Sequence, residues 1–276
     1  MPNPHVALVL SGGGAKGGVQ VGALDYLINH LKYRFDFISG VSVGALNAAL
    51  LGQDDFPLLS DFWHTITEKD IMRGDTNWYN ILWRFWKKRL SIYNNAPLWK
   101  LIDKHVDGSK VPVGREVMVG VVNYETGSYH AVNHRSPYYK KFVLASTAIP
   151  LAFPPTKIRH EGETLHYFDG GARNICPLND VLKYAPDEIV IINCSDPDYL
   201  PERKDPPKTM IDLGTRAIDI LTNEVFRGDL LAKIPIKCKV HLIEPIIPLG
   251  ETLDFSRPML NKRIQHGFER AKAVMG

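Results

Sequence analysis

The chain has 276 residues, 45% of them hydrophobic and 23% charged. That is enough apolar material for a sizeable core, and it excludes disordered, collagen-like and disulfide-scaffold architectures. Thirty-three Lys and Arg against 30 Asp and Glu leave a net charge of +3, too mild to imply nucleic acid as an obligatory partner. Three cysteines, Cys176, Cys194 and Cys238, show no Cys-x-x-Cys spacing, so neither a disulfide framework nor a zinc knuckle is expected.

No basic stretch leads into an apolar run with a small-residue cleavage site, and no run of about 18 apolar residues occurs. A cytoplasmic or peripheral membrane protein, without signal peptide or transmembrane helix, is expected. His5 to Leu10 reads as a buried strand that ends in the turn Ser11-Gly12-Gly13-Gly14, and helical spacing of apolar residues then runs to about Lys32. Arg34 to Ser39 is a second strand, and after Gly40-Val41-Ser42-Val43-Gly44 an alanine-rich helix closes at Gly52. Further strands are expected at Glu116–Asn123, Thr164–Phe168, Glu188–Asn193 and Lys239–Ile243. Helices are expected at Tyr138–Ala148, Leu178–Tyr184, Thr209–Ala232 and Met259–Val274. Strands alternating with helices argue an α/β fold with a mainly parallel central sheet covered on both faces. One domain over residues 1–276 is expected, because the only proline-rich charged stretch, Pro197 to Pro207, is too short for a convincing linker.

Two glycine motifs carry chemistry. Gly12 to Gly17 satisfies Gly-x-Gly-x-x-Gly between a strand and a helix, and its bare N–H groups at a helix start suit a phosphate or an oxyanion. A dinucleotide site also wants an acid at the end of the second strand, whereas Asp36 lies near the start of that strand and Ser39-Gly40 close it. A phosphate-binding Walker loop needs Ser or Thr after Lys16 and finds Gly17. Gly40-Val41-Ser42-Val43-Gly44 is Gly-x-Ser-x-Gly at a strand-to-helix turn, the setting that exposes a nucleophilic serine. A serine nucleophile needs a base. Asp169-Gly170-Gly171 follows a strand, whereas Asp107-Gly108-Ser109, a rival Asp-Gly turn, lies in a more polar segment. In a Ser…Asp…His order the histidine would be His241 or His266, but each sits inside a strand or helix pattern without a loop signal.

Together these motifs and their spacing resemble the patatin-like phospholipase family. LVLSGGGAKGGVQVGAL is similar to its oxyanion block, GVSVGALNAAL to its nucleophile block, ASTAIPLAFPP to its mid-domain block and YFDGGARNICPL to its aspartate block. The resemblance implies a three-layer α/β/α sandwich and a lipid acyl hydrolase of phospholipase A or lysophospholipase type. It assigns Ser42 as nucleophile, Asp169 as base and Gly12, Gly13 and Gly14 as oxyanion donors, with Ala15, Lys16, Gly17, Gly40, Gly44, Gly170 and Gly171 as supporting motif positions. Neither metal nor cofactor is implied. The partner would be a phospholipid or other fatty acyl ester. An acyltransferase using the same acyl-serine, and a nucleotide-binding module using the Gly12 loop, are the competing readings.

The likeness is thinnest at residues 54–112, where a lid or membrane-facing insertion and the choice of substrate are expected. Within it, Trp78 to Ile92 read as a helix puts Arg84, Lys87 and Lys88 on one stripe, with Trp83 and Trp86 opposite and Trp78 at its start. An aromatic face beside a basic face suits an anionic lipid headgroup layer, and a core-packed helix with solvated lysines is the plainer reading.

Overall fold

The computed structural model describes residues 4–74, 90–160, 162–195 and 237–276, with a few positions between 206 and 228. The opening is β1 (Val6–Leu10), a short 3-10 turn at Gly14–Gly17, α1 (Gly18–Asp25), β2 (Phe37–Val41) and α2 (Val43–Gly52). Next come α3 (Phe56–Thr65), α4 (Glu68–Ile71) and α5 (Ala96–His105). The second half contains β3 (Glu116–Asn123), β4 (Tyr129–Asn133), α6 (Tyr139–Ser146), β5 (Thr156–His160) and β6 (Glu163–Asp169). It closes with α7 (Leu178–Leu182), β7 (Glu188–Ile192), β8 (Lys239–Ile243) and α8 (Arg257–Met275).

The described strands form one sheet whose hydrogen-bonded neighbours run β5-β6-β3-β2-β1-β7-β8, with β4 a further partner of β3. From β3 to β8 the pairing is parallel; β4, β5 and β6 are antiparallel. β1 shows why the sheet lies inside. All five of its residues are buried, and alternation sends Val6, Leu8 and Leu10 into the core that includes α1 and α2, and Ala7 and Val9 into the one that includes Leu178 and Val181 of α7. Each fully buried Leu or Val contributes roughly 1.5–3 kcal/mol. The result is the expected three-layer α/β/α arrangement with a mainly parallel sheet.

β3 outruns β2, and that sets up the site. β2 pairs with the first part of β3, from Phe37 opposite Glu116 to Val41 opposite Gly120, and β6 takes over with Asp169 opposite Val121. Both lie on one edge of β3, because the N–H groups of Glu116 and Tyr124, an even number of residues apart, donate to Asp36 and His166. β4 occupies the other edge, where Asn123 N–H donates to Ser128. The C-terminal ends of β2 and β6 therefore meet.

Three differences from the sequence reading have physical causes. β4 and β5 are short, largely polar strands without apolar alternation, and α3, α4 and α5 fall in the segment where no periodicity was read. The helix expected over Trp78–Ile92 does not reach its end: Leu90, Ser91 and Ile92 are non-helical, with Ser91 Oγ donating to Tyr93 O and Ile92 N–H to Leu151 O, local bonds that compete with a helix. Its other residues, including Trp78, Trp83, Arg84, Trp86, Lys87 and Lys88, lie outside the described residues. The helix expected over Thr209–Ala232 is described only at scattered positions, which are helical. Among the described residues no helix is long and apolar enough to cross a membrane.

Candidate active site

β2 stops at Val41 and α2 starts at Val43, so Ser42 alone makes the turn. Its backbone, at φ 57° and ψ −127°, lies where a side chain costs of order 1–3 kcal/mol and persists only under outside constraint. Ser146, at the end of α6, supplies that constraint: its Oγ accepts the Ser42 N–H at 2.9 Å and donates to Gly120 O at 2.6 Å. The flanking glycines permit the approach. A Cβ on Gly40 would lie 2.1 Å from Gly44 O, and one on Gly44 would lie 2.2 Å from Leu10 O.

Asp169, the last residue of β6, is buried, and the nearby Ser42 side chain favours its ionised form. Its Oδ1 accepts the Gly171 N–H at 2.8 Å, and its own N–H donates to Ala148 O at 3.1 Å. Loss of water favours the neutral acid, whereas the Gly171 N–H bond and the Ser42 side chain favour the carboxylate. Burial wins, and the carboxyl is pushed up to about 7. A serine with a buried carboxylate partner of that basicity is equipped for proton transfer near neutral pH.

The glycine loop lies beside them. A Cβ on Gly12 would come 3.2 Å from Ser42 Cβ, so a side chain there would crowd the serine. Gly12 N–H donates to Ile175 O at 3.0 Å, Ala15 N–H to Thr252 O at 2.8 Å and Lys16 N–H to Gly13 O at 3.2 Å. Among the described residues the N–H groups of Gly13 and Gly14 have no backbone acceptor. These two residues are half-buried while Gly12, Ala15 and Gly17 are buried. Gly14 has φ 57°, a left-handed conformation natural to glycine. The loop thus offers two donors, from Gly13 and Gly14, and the third glycine is occupied.

A small cavity of about 40 Å³ opens from Ser42 and Gly14 between α2, α3, α5 and the 249–255 segment. Its walls include Leu46, Phe62, Phe153, Leu253 and Phe255. Two other cavities, of about 620 and 600 Å³, include neither Ser42 nor Asp169. Among the described residues no three His, Cys, Asp or Glu side chains are grouped to hold a metal ion.

The other sequence-selected residues are placed apart from this constellation. His241 lies on β8 with Nε2 2.9 Å from Glu188 Oε1, and His266 Nε2 accepts the Ile246 N–H at 3.2 Å. Asp107 closes an exposed turn, accepting the Ser109 N–H and hydroxyl, bonds that hold its carboxyl below the usual range. Asp36 Oδ2 accepts the Val6 N–H at 2.9 Å, at the wrong end of β2 for a ribose contact.

A family model described as patatin-like phospholipase matches residues 8–182, well over half of the chain. The chain belongs to the patatin-like phospholipase family. Among curated proteins no sequence matches significantly. Among solved structures, VipD from Legionella pneumophila is similar at 13% identity and TM-score 0.48, over 99% of this chain and 66% of that one. The type III effector protein ExoU is similar at 13% identity and TM-score 0.43, over 99% of this chain and 53% of that one. This patatin-like chain spans between a half and two thirds of the length of those structures. Its family match takes in Ser42, Asp169 and the glycine loop and stops before β7. Three residues act on the site without a role assigned by the resemblance: Ser146, Ile175 in the YFDGGARNICPL block, and Thr252. Ser146 lies in the ASTAIP block, where the resemblance gave it no role, and no sequence signal marks the two backbone acceptors.

Proposed function

We propose that this patatin-like protein is a lipid acyl hydrolase that cleaves fatty acyl esters through an acyl-enzyme on Ser42. The observation that carries the reading is the buried Asp169 carboxyl, raised to about 7 and set by the meeting ends of β2 and β6 beside the strained serine. In the attack step Asp169 takes the Ser42 proton as Oγ bonds to the acyl carbonyl carbon, and the N–H groups of Gly13 and Gly14 receive the developing oxyanion. The N-terminus of α2, which begins beside Ser42, adds a favourable dipole. Collapse of the tetrahedral intermediate expels the alcohol, which takes the proton from Asp169. Water, deprotonated by the same carboxylate, then releases the fatty acid and restores Ser42.

The apolar lining beside Ser42 suits the carbonyl end of an acyl chain, and at about 40 Å³ the cavity holds no more of the chain than that unless its walls part. Gly12 keeps the space above Ser42 clear, and its N–H serves loop shape. The whole chain is read as one acyl hydrolase domain, with residues 54–112 supplying part of the cavity wall and a membrane-facing lid. A phospholipase A or lysophospholipase would show Ser42-dependent fatty acid release from mixed phosphatidylcholine and phosphatidylglycerol vesicles, unchanged when an alcohol acceptor is added. Diversion of most of the acyl group to the acceptor would make it a transferase instead. Changing Arg84, Lys87 and Lys88 together to Glu is expected to weaken binding to anionic vesicles by about 1 kcal/mol per residue. Unchanged sedimentation with those vesicles would remove the lid from the membrane contact.

A further inference from the structure

The glycine loop is held from a part of the chain that the family match does not reach. α8 crosses α1 in backbone contact: a Cβ on Gly267 would lie 2.0 Å from Val19 O. From this helix Arg263, fully buried, reaches into the 249–254 loop and the glycine turn together. Its Nε donates to Leu249 O at 2.8 Å, Nη2 to Glu251 O at 2.9 Å, and Nη1 to Asp254 O at 2.6 Å and Ala15 O at 3.1 Å. The loop it gathers supplies Thr252 O, which accepts the Ala15 N–H at 2.8 Å. Ala15 is thus gripped on both its peptide groups, its carbonyl by Arg263 and its N–H by the loop that Arg263 holds. Ala15 directly follows Gly13 and Gly14, whose N–H groups have no backbone acceptor among the described residues, and a Cβ on Gly14 would lie 2.3 Å from Thr252 O.

We infer that Arg263 is a positioning residue for the oxyanion donors, fixing the direction of the Gly13 and Gly14 N–H groups through Ala15 and the 249–254 loop. The inference rests on the reading of Ser42 and the glycine loop as an acyl-transfer site. A planar guanidinium with five donors can hold four carbonyls at once, whereas an ammonium with three cannot. Oxyanion donors act on the transition state and leave substrate binding nearly untouched.

The test uses the full chain with a p-nitrophenyl ester, an alkyl boronic acid that forms a tetrahedral adduct on Ser42, and a non-hydrolysable ether analogue of the substrate. R263Q is expected to lower kcat about 10- to 100-fold with KM within about threefold. It should weaken the boronic acid by a similar factor and leave the ether analogue unchanged, with R263K recovering part of the loss. Folded R263Q with kcat and boronic acid affinity within about twofold of wild type would overturn the inference, as would equal loss of affinity for both ligands. If neither variant folds, hydrogen exchange on wild type decides. An Ala15 amide as slow as the α8 core amides supports the joint unit, and one exchanging at exposed-loop rates overturns it. Wild type without Ser42-dependent turnover would instead overturn the acyl-transfer reading, and the inference with it.

Discussion

Asp169 and Ser42 are neighbours whose burial does the chemical tuning. A carboxylate at its ordinary value near 4 would be a weak acceptor for a serine proton, and desolvation moves it to about 7. In the proposed mechanism the ionised form is the base, so kcat/KM is expected to rise with pH, turn near pH 7 and stay level to about pH 9. A pH-rate profile that is flat from pH 5 to 9 would contradict a buried carboxylate base. The same shift bears on stability. A carboxyl raised in the folded state holds its proton there while the unfolded chain has lost it, so stability falls as pH rises from about 4 to about 7. Asp169→Asn has no such penalty, and its side chain can still accept from Gly171. It is expected to be more stable than wild type above pH 7 by on the order of 2–4 kcal/mol, a gap that closes below pH 4. Urea denaturation of both proteins at pH 4 and pH 8 measures it, and a pH-independent gap would contradict the shift.

At the scale of elements, the elbow depends on what presses on it from α6 and β1. Ser146→Ala leaves the Ser42 N–H without its acceptor and Gly120 O without its donor, both buried, which costs about 1–3 kcal/mol. A lower urea midpoint together with roughly tenfold slower ester turnover is expected, and an unchanged midpoint and rate would remove Ser146 from the support of the elbow. Gly44→Ala forces a methyl group against Leu10 O, and loss of soluble folded protein or of most turnover is the expected result. Much of this level was legible in the sequence. β3 and β8 have the bounds read from their apolar runs, and the strand-glycine-helix pattern located the elbow. The unexpected helices α3 and α5 share a start signal with the expected α8: each begins with a capping-type residue two places before proline, at Asp55 and Pro57, Asn95 and Pro97, and Ser256 and Pro258. Only α8 also had strong periodicity, so only α8 was read. β4 and β5 carried too little apolar alternation to be found from sequence.

Across the whole molecule the site exists because distant segments are brought to one end of the sheet. β6 returns along the edge of β3 that β2 has left, which sets Asp169 beside Ser42 although 127 positions separate them. Spacing between motifs pointed to both residues, yet edge sharing is a property of strand register and could not be read from either motif. The same holds for the cavity, whose walls come from α2, α3, α5 and the 249–255 segment. Leu253→Trp narrows it and is expected to shift p-nitrophenyl ester preference toward shorter acyl chains, with octanoate losing at least about tenfold in kcat/KM relative to butyrate. An unchanged chain-length profile would place the acyl group elsewhere. The most direct measurement of the central claim is pre-steady-state hydrolysis of a p-nitrophenyl ester by wild type, Ser42→Ala and Asp169→Asn, with intact-protein mass spectrometry of the quenched reaction. Acylation of wild type on Ser42 is expected, absent in Ser42→Ala and slowed at least about a thousandfold in Asp169→Asn. Full-rate acylation in folded Asp169→Asn, or turnover that survives Ser42→Ala, would contradict it.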